Sequence, residues 1–211
     1  MKGMNEVSET YGVEDAHLEK VKANVRDELE MLRSIGDEGL REHVVLAWAV
    51  ALCWNGFEAI NDMPGSARPG APEKGTQAQH MDGTARIAVG IKGAIEETLS
   101  DRMPFDDDML IASALCHDLG KPVEYSVANR ERWAKNRVLY GRPSVRHPAY
   151  GAHVALTVGL PEEVMHVAAA HAVEGNYVQR SLLAHIVQYA DDAYWFTIEN
   201  WDGWVDSGLR L

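Results

Sequence analysis

Apolar residues recur at steps of three and four along most of this chain, and no stretch of useful length alternates apolar with polar residues. That pattern admits helices and leaves little room for a sheet. Leu18, Val21, Val25, Leu29 and Leu32 make one helical stripe. Gly36 is expected to end that helix and Asp37 to cap the next, on which Leu40, Val44, Ala47, Ala51 and Trp54 share a buried side. Residues 80–99 put Ile87, Ile91 and Ile95 on a stripe, and 107–118 form an apolar helix that runs into Gly120. Residues 129–147 are basic and turn irregular toward their end. Pro148 and Pro161 suit the first turns of two more helices, and a last long helix covers about 181–199. The fold class is therefore all-α. Residues 61–79, rich in proline and glycine, interrupt the pattern and read as a loop or lid. They divide an N-terminal helical extension, 1–60, from the remainder, 80–211. Arg68 and Lys74 are the loop's basic residues and would meet an anionic substrate if it closed.

A chain of 211 residues, 46% of them hydrophobic, can build one full core but not two large ones. Cys53 and Cys116 cannot make a disulfide framework and suit a reducing, cytoplasmic setting. The start, MKGMNEVSET, lacks the apolar stretch of a secretory signal. The longest apolar run, Val44 to Trp54, falls short of the roughly 20 residues that span a bilayer. A net charge of −12 with no basic block disfavours a nucleic-acid polymer as partner. The expected partner is a small molecule, with no membrane role. A homo-oligomer stays open.

Histidines supply the chemical signal. His117–Asp118, in ALCHDLGKP, puts an imidazole and a carboxylate side by side at a helix end. His80 lies one heptad before Ile87, about 20° away on the helical wheel, and so points inward. His171, four residues after Val167 and seven after Val164, faces inward as well. His166 points away from it and reads as solvated. The final helix has its stripe at Leu182, Leu183, Ile186, Val187, Ala190 and Tyr194, which makes Asp191 a better inward carboxylate than Asp192 and leaves His185 on the polar side. A single inward histidine is ordinarily a hydrogen-bonded core residue, which is the reading for His43. Several inward histidines beside an HD pair each need a buried partner, and a missing one costs about 1–3 kcal/mol. A shared metal centre satisfies them together. Cys116 reads as a small buried hydrophobe. Trp195, Trp201 and Trp204 are expected to close the core or a subunit interface, or else to stack a substrate base.

These residues resemble the HD-domain superfamily of metal-dependent phosphohydrolases. His80, then HDLGK at 117–121, RHPAYGAHVA around His147, AAAHAVEG at His171 and QYADDAYW at Asp191 follow its H…HD…H…H…D order. The resemblance covers about residues 78–197 and implies an HD-type helical bundle carrying an N-terminal helical hairpin. It also implies that His80, His117, Asp118 and Asp191 hold one divalent transition metal, with Asp118 bridging to a second held by His147 and His171. Iron, manganese, cobalt and zinc all suit such ligands. Lys121 would meet an anionic substrate group or developing charge, or else only complement a helix end. Arg142 and Arg146 would clamp a phosphate, or else line a solvated loop. The implied activity is hydrolysis of a small phosphate ester or nucleotide. A mixed-valent di-iron oxygenase cleaving C–C or C–P bonds, or a non-catalytic metal-holding module, would use the same ligands. The cyclic-dinucleotide subgroup carries a doubled histidine and a Gly-Tyr-Pro, whereas AVEGNY follows His171 here.

Overall fold

A computed structural model of the protein describes residues 10–65 and 75–201. Among them are α-helices and short 3-10 turns, with a lone bridge between Pro64 and Thr76 in place of any strand. The all-α expectation holds. Trp204 and the middle of the proline-rich segment, with Arg68 and Lys74, lie outside the described residues.

Helix α1 (Asp15–Glu28) buries Leu18, Val21 and Val25 as expected. It ends earlier than the stripe does, because the Asp82 carboxylate accepts hydrogen bonds from the backbone N–H of Glu30 and Met31, both at 2.9 Å. A 3-10 turn, Glu30–Ser34, then carries the apolar pattern on, with Leu29, Leu32 and Ile35 still buried. Asp37 caps α2 (Glu38–Asn55) by accepting from the Leu40 N–H, and Gly56 ends that helix at φ 80°. Positive φ suits glycine because it lacks a Cβ.

Helix α2 is buried over nearly its whole girth from Val44 to Leu52, which is the mark of a central helix rather than an outer layer. Its fully buried Trp48 donates Nε1–H to the Leu115 carbonyl at 2.8 Å. One hydrophobic cluster runs from α1 through to the last helix. His43, by contrast, is exposed and turned back on the Gly39 carbonyl at 2.7 Å, so the expected core histidine is a surface one.

Helix α3 (Gln77–Leu99) begins inside the segment first read as loop. The reason is a capping box: the Thr76 hydroxyl accepts from Gln79 N–H, and the Gln79 amide oxygen accepts from Thr76 N–H. Its buried row is Gln77, His80, Met81, Thr84, Ala85, Ala88 and Lys92. The isoleucine stripe is the flank, with Ile87 and Ile91 half-buried and Ile95 exposed. Small residues face inward because α3 packs against both α4 (Asp107–Cys116) and the last helix, α10 (Leu182–Asn200). Gly83 shows how tight that contact is, since a Cβ there would stand 2.4 Å from the Tyr194 ring.

Past α4 the chain turns through His117–Gly120 and re-enters helix at once as α5 (Lys121–Tyr125), followed by α6 (Val127–Lys135) and α7 (Arg137–Tyr140). Gly120 thus lies past the end of α4, as expected, and at the N-terminus of α5. It is glycine because a Cβ would lie 2.0 Å from the His147 carbonyl oxygen and 2.6 Å from the Gly151 nitrogen. The first turns of α8 (His147–Thr157) thus sit directly on the HD turn, with α9 (Glu162–Ala170) packed against α8 and α4. No described helix is long and apolar enough to cross a membrane.

Two glycine variants separate close approach from helix propensity. Gly120→Ala should lower stability by about 3 kcal/mol or more through overpacking. Gly90→Ala, where a Cβ meets nothing within 4 Å, should raise it by about 0.5–1 kcal/mol. Thermal and urea unfolding of both variants checks the pair, and equal shifts would contradict the packing of the HD turn on α8.

Candidate metal centre

Five elements converge on the Asp118 carboxylate. It lies on the turn after α4, is buried, and turns its two oxygens to different partners. Oδ2 stands 3.6 Å from His80 Nε2 and 3.7 Å from His117 Nε2. Oδ1 stands 3.2 Å from His147 Nε2 and 3.4 Å from His171 Nε2. Within each pair the imidazole nitrogens nearly meet, at 3.2 Å for His117 and His80 and 3.3 Å for His147 and His171. Asp191, from α10, brings Oδ1 to 3.2 Å from His80 Nε2.

The outer nitrogens fix what the inner ones present. His117 Nδ1 faces the Ala114 carbonyl at 2.6 Å, and His171 Nδ1 faces the Ala168 carbonyl at 3.0 Å. A carbonyl only accepts, so each Nδ1 carries the proton and each Nε2 a lone pair. His147 Nδ1 faces Glu124 Oε1 at 3.1 Å, with the same consequence. Burial pushes the His117 imidazole down to about 4 and lowers that of His147, which keeps both rings neutral. Burial also works against the charged form of His80, but the Asp118 and Asp191 carboxylates prevail and raise it. For both carboxylates burial favours the neutral acid, and neighbours overcome it. Lys121 holds Asp118 well below the usual carboxylate range, while His80 holds Asp191 down to about 2.

Such an arrangement fits a cation. Two lone-pair nitrogens at 3.3 Å have no proton to share. Ligand nitrogens at the usual metal–nitrogen distance of one ion stand about 3 Å apart. Apart from His80 Nε2 at 3.2 Å, the buried Asp191 Oδ1 has no hydrogen-bond partner among the described residues, a gap that a metal would fill. Three overlapping sets place their ligand atoms within 4.8 Å of one another: His80, His117 and Asp118; Asp118, His147 and His171; and His117, His171 and Asp191.

All six residues picked out as ligands thus come together. Lys121 joins them, its Nζ 3.7 Å from Asp118 Oδ1. The two arginines stand apart from the ligands. Arg142 is exposed and makes no ion pair among the described residues, and Arg146 Nε pairs with Glu174 at 2.9 Å. His166 is half-buried rather than solvated, because its Nε2 accepts from the Ser181 N–H that opens α10. Leu182 leaves the expected stripe and is exposed, while His185 and Asp192 are exposed as expected. Trp195 packs with Tyr194 on the His80 ring, both at 4.8 Å between centroids. Cys116 is fully buried, as expected.

Two polar residues escaped the sequence reading. Gln77 Nε2 donates to Asp118 Oδ2 at 2.9 Å and holds the roll of that carboxylate. One turn before His80 on the same face, it was legible only once α3 is known to start there. Glu124 accepts from both the backbone N–H and the Nδ1–H of His147, and lone acidic residues give no signal of that kind.

The HD domain family profile matches residues 78–193, more than half of the chain. The chain belongs to the HD domain family, a superfamily of metal-dependent phosphohydrolases, and its buried His/Asp cluster fits an HD-type site for divalent metal. No curated protein and no solved structure matches it significantly.

Gln77→Leu keeps the side-chain volume and removes the donor to Asp118. Titration of metal-free protein with Mn²⁺ should show affinity reduced by roughly ten- to a hundredfold with folding intact. Wild-type affinity would mean that the Gln77 contact does not orient the carboxylate.

Proposed function

We propose that the protein is a metal-dependent hydrolase of a small phosphate ester or nucleotide, built on a dinuclear centre. His80, His117, Asp191 and Asp118 Oδ2 would hold one divalent ion, and His147, His171 and Asp118 Oδ1 the other. The observation that carries this reading is the division of labour within Asp118, each oxygen of which faces its own histidine pair at 3.2–3.7 Å. Ions held there would supply Lewis acidity toward a phosphoryl oxygen and lower the pKa of a coordinated water to near 7.

The chain's own residues do the rest. With Nδ1 turned to backbone carbonyls, His117 and His171 direct Nε2 into the cluster, where it suits a ligand role. Lys121, at the start of α5 and mostly buried, presents an ammonium beside Asp118 Oδ1, where it suits an anionic substrate oxygen or the charge that grows in a phosphoryl transition state. Burial of the ligands keeps bulk water away and strengthens each of these interactions. Arg142 and Arg146 would serve as phosphate contacts, Arg146 only on leaving Glu174.

Elemental analysis after gentle purification should find about two transition-metal ions per chain, iron, manganese, cobalt or zinc. Asp118→Ala should lose both, since its carboxylate serves both positions. A panel of phosphate esters incubated without oxygen should release phosphate. Strict dependence on oxygen would replace the hydrolase with an oxygenase reading, and metal-free wild-type protein that is fully folded would retire both.

A further inference from the structure

The two halves of the cluster are unequal in charge. On the Oδ2 side Asp118 is joined by Asp191, a second carboxylate among the ligand atoms. On the Oδ1 side Asp118 stands with His147 and His171, and Asp191 approaches that side only at His171, within 4.8 Å, against 3.2 and 3.8 Å to His80 and His117. The partners behind the four imidazoles are unequal too. His117 and His171 lean on neutral backbone carbonyls. Among the described residues, His80 Nδ1 faces the Thr84 hydroxyl, 3.5 Å away. His147 alone is backed by a carboxylate.

We infer that Glu124 is a positioning residue that supplies, through the His147 ring, the negative charge which the Oδ1 half of the cluster lacks. The inference rests on the dinuclear reading above. An imidazole that donates its far N–H to a carboxylate is a stronger and better oriented ligand than one that donates to a carbonyl. Glu124 is placed to enforce this, because one oxygen, Oε1, accepts the ring Nδ1–H at 3.1 Å and the His147 backbone N–H at 2.8 Å. The second bond caps the first turn of α8, where a negative charge also complements the helix dipole. Ring rotation and helix start are thus tied to the same atom. Glu124 is itself held: its carbonyl accepts from Arg130 Nε at 2.6 Å, and its carboxylate lies 3.9 Å from Arg146 Nε, which pairs with Glu174 at 2.9 Å. A chain of alternating charge therefore runs from the surface to His147 and stops there.

Calorimetric titration of metal-free protein with Mn²⁺ tests the inference without reference to activity. Wild type should bind two ions in two steps. Glu124→Gln keeps the size and an acceptor oxygen but removes the charge. It should leave the tighter step unchanged and weaken the other by ten- to a hundredfold. Glu124→Asp restores the charge at shorter reach and should fall between the two. It also serves if the amide variant fails to fold, since a weakened second step alone supports the inference and two wild-type steps overturn it. Equal weakening of both steps in Glu124→Gln, or no weakening, would likewise overturn it while leaving the dinuclear centre standing. Wild-type protein that binds no Mn²⁺ would instead fail the proposed function itself.

Discussion

A buried, ionised carboxylate is among the most expensive groups a protein can enclose, and Asp118 is one. Its environment is organised to hold that charge. Gln77 donates to one oxygen, Lys121 stands near the other, and four imidazoles crowd both. These groups still leave Asp191 Oδ1 with no partner but His80 among the described residues, and two imidazole lone pairs facing each other. The described protein groups alone do not complete the cluster, whereas divalent cations would satisfy the carboxylates and the lone pairs at once.

Much of the surrounding fold is explained by keeping the pieces in register. The HD turn touches α8 without a side chain between them, at Gly120 and Gly151, which sets His117–Asp118 directly against His147. The N-terminal hairpin is tied to the same unit. Asp82 of α3 holds the 3-10 turn after α1, and Asp108 of α4 accepts from the backbone N–H of Gly36 and Asp37 at 2.9 and 2.7 Å. Trp48 fastens α2 to the end of α4, two residues before His117. A site held by helices that are themselves fastened at several points is positioned more precisely than one carried on loops.

The ligands were legible in the sequence because each sits on an element whose inward face could be counted, or in a motif with fixed spacing. His80 shows the limits of counting. It points inward as expected, yet the isoleucines that argued for it lie on the flank, because α3 is gripped from two sides and buries its alanines instead. His43 failed by the same logic: its position on a stripe does not tell which way a polar ring turns when a carbonyl one turn back is within reach. Gln77 and Glu124 were illegible for a different reason. A supporting residue acts through another side chain from a neighbouring turn or helix, and that relation has no period along the chain. The close approach of α8 to Gly120 is a third case, since local sequence carries no record of a helix arriving from 27 residues away.

The claim on which this account turns is that Asp118 stands between two cations. Crystals of protein loaded with Mn²⁺, measured for anomalous scattering at the manganese edge, test it most directly. The account predicts two anomalous peaks, one bounded by His80, His117, Asp191 and Asp118 Oδ2, the other by His147, His171 and Asp118 Oδ1. An absence of peaks, or one peak out of contact with Asp118, would contradict it.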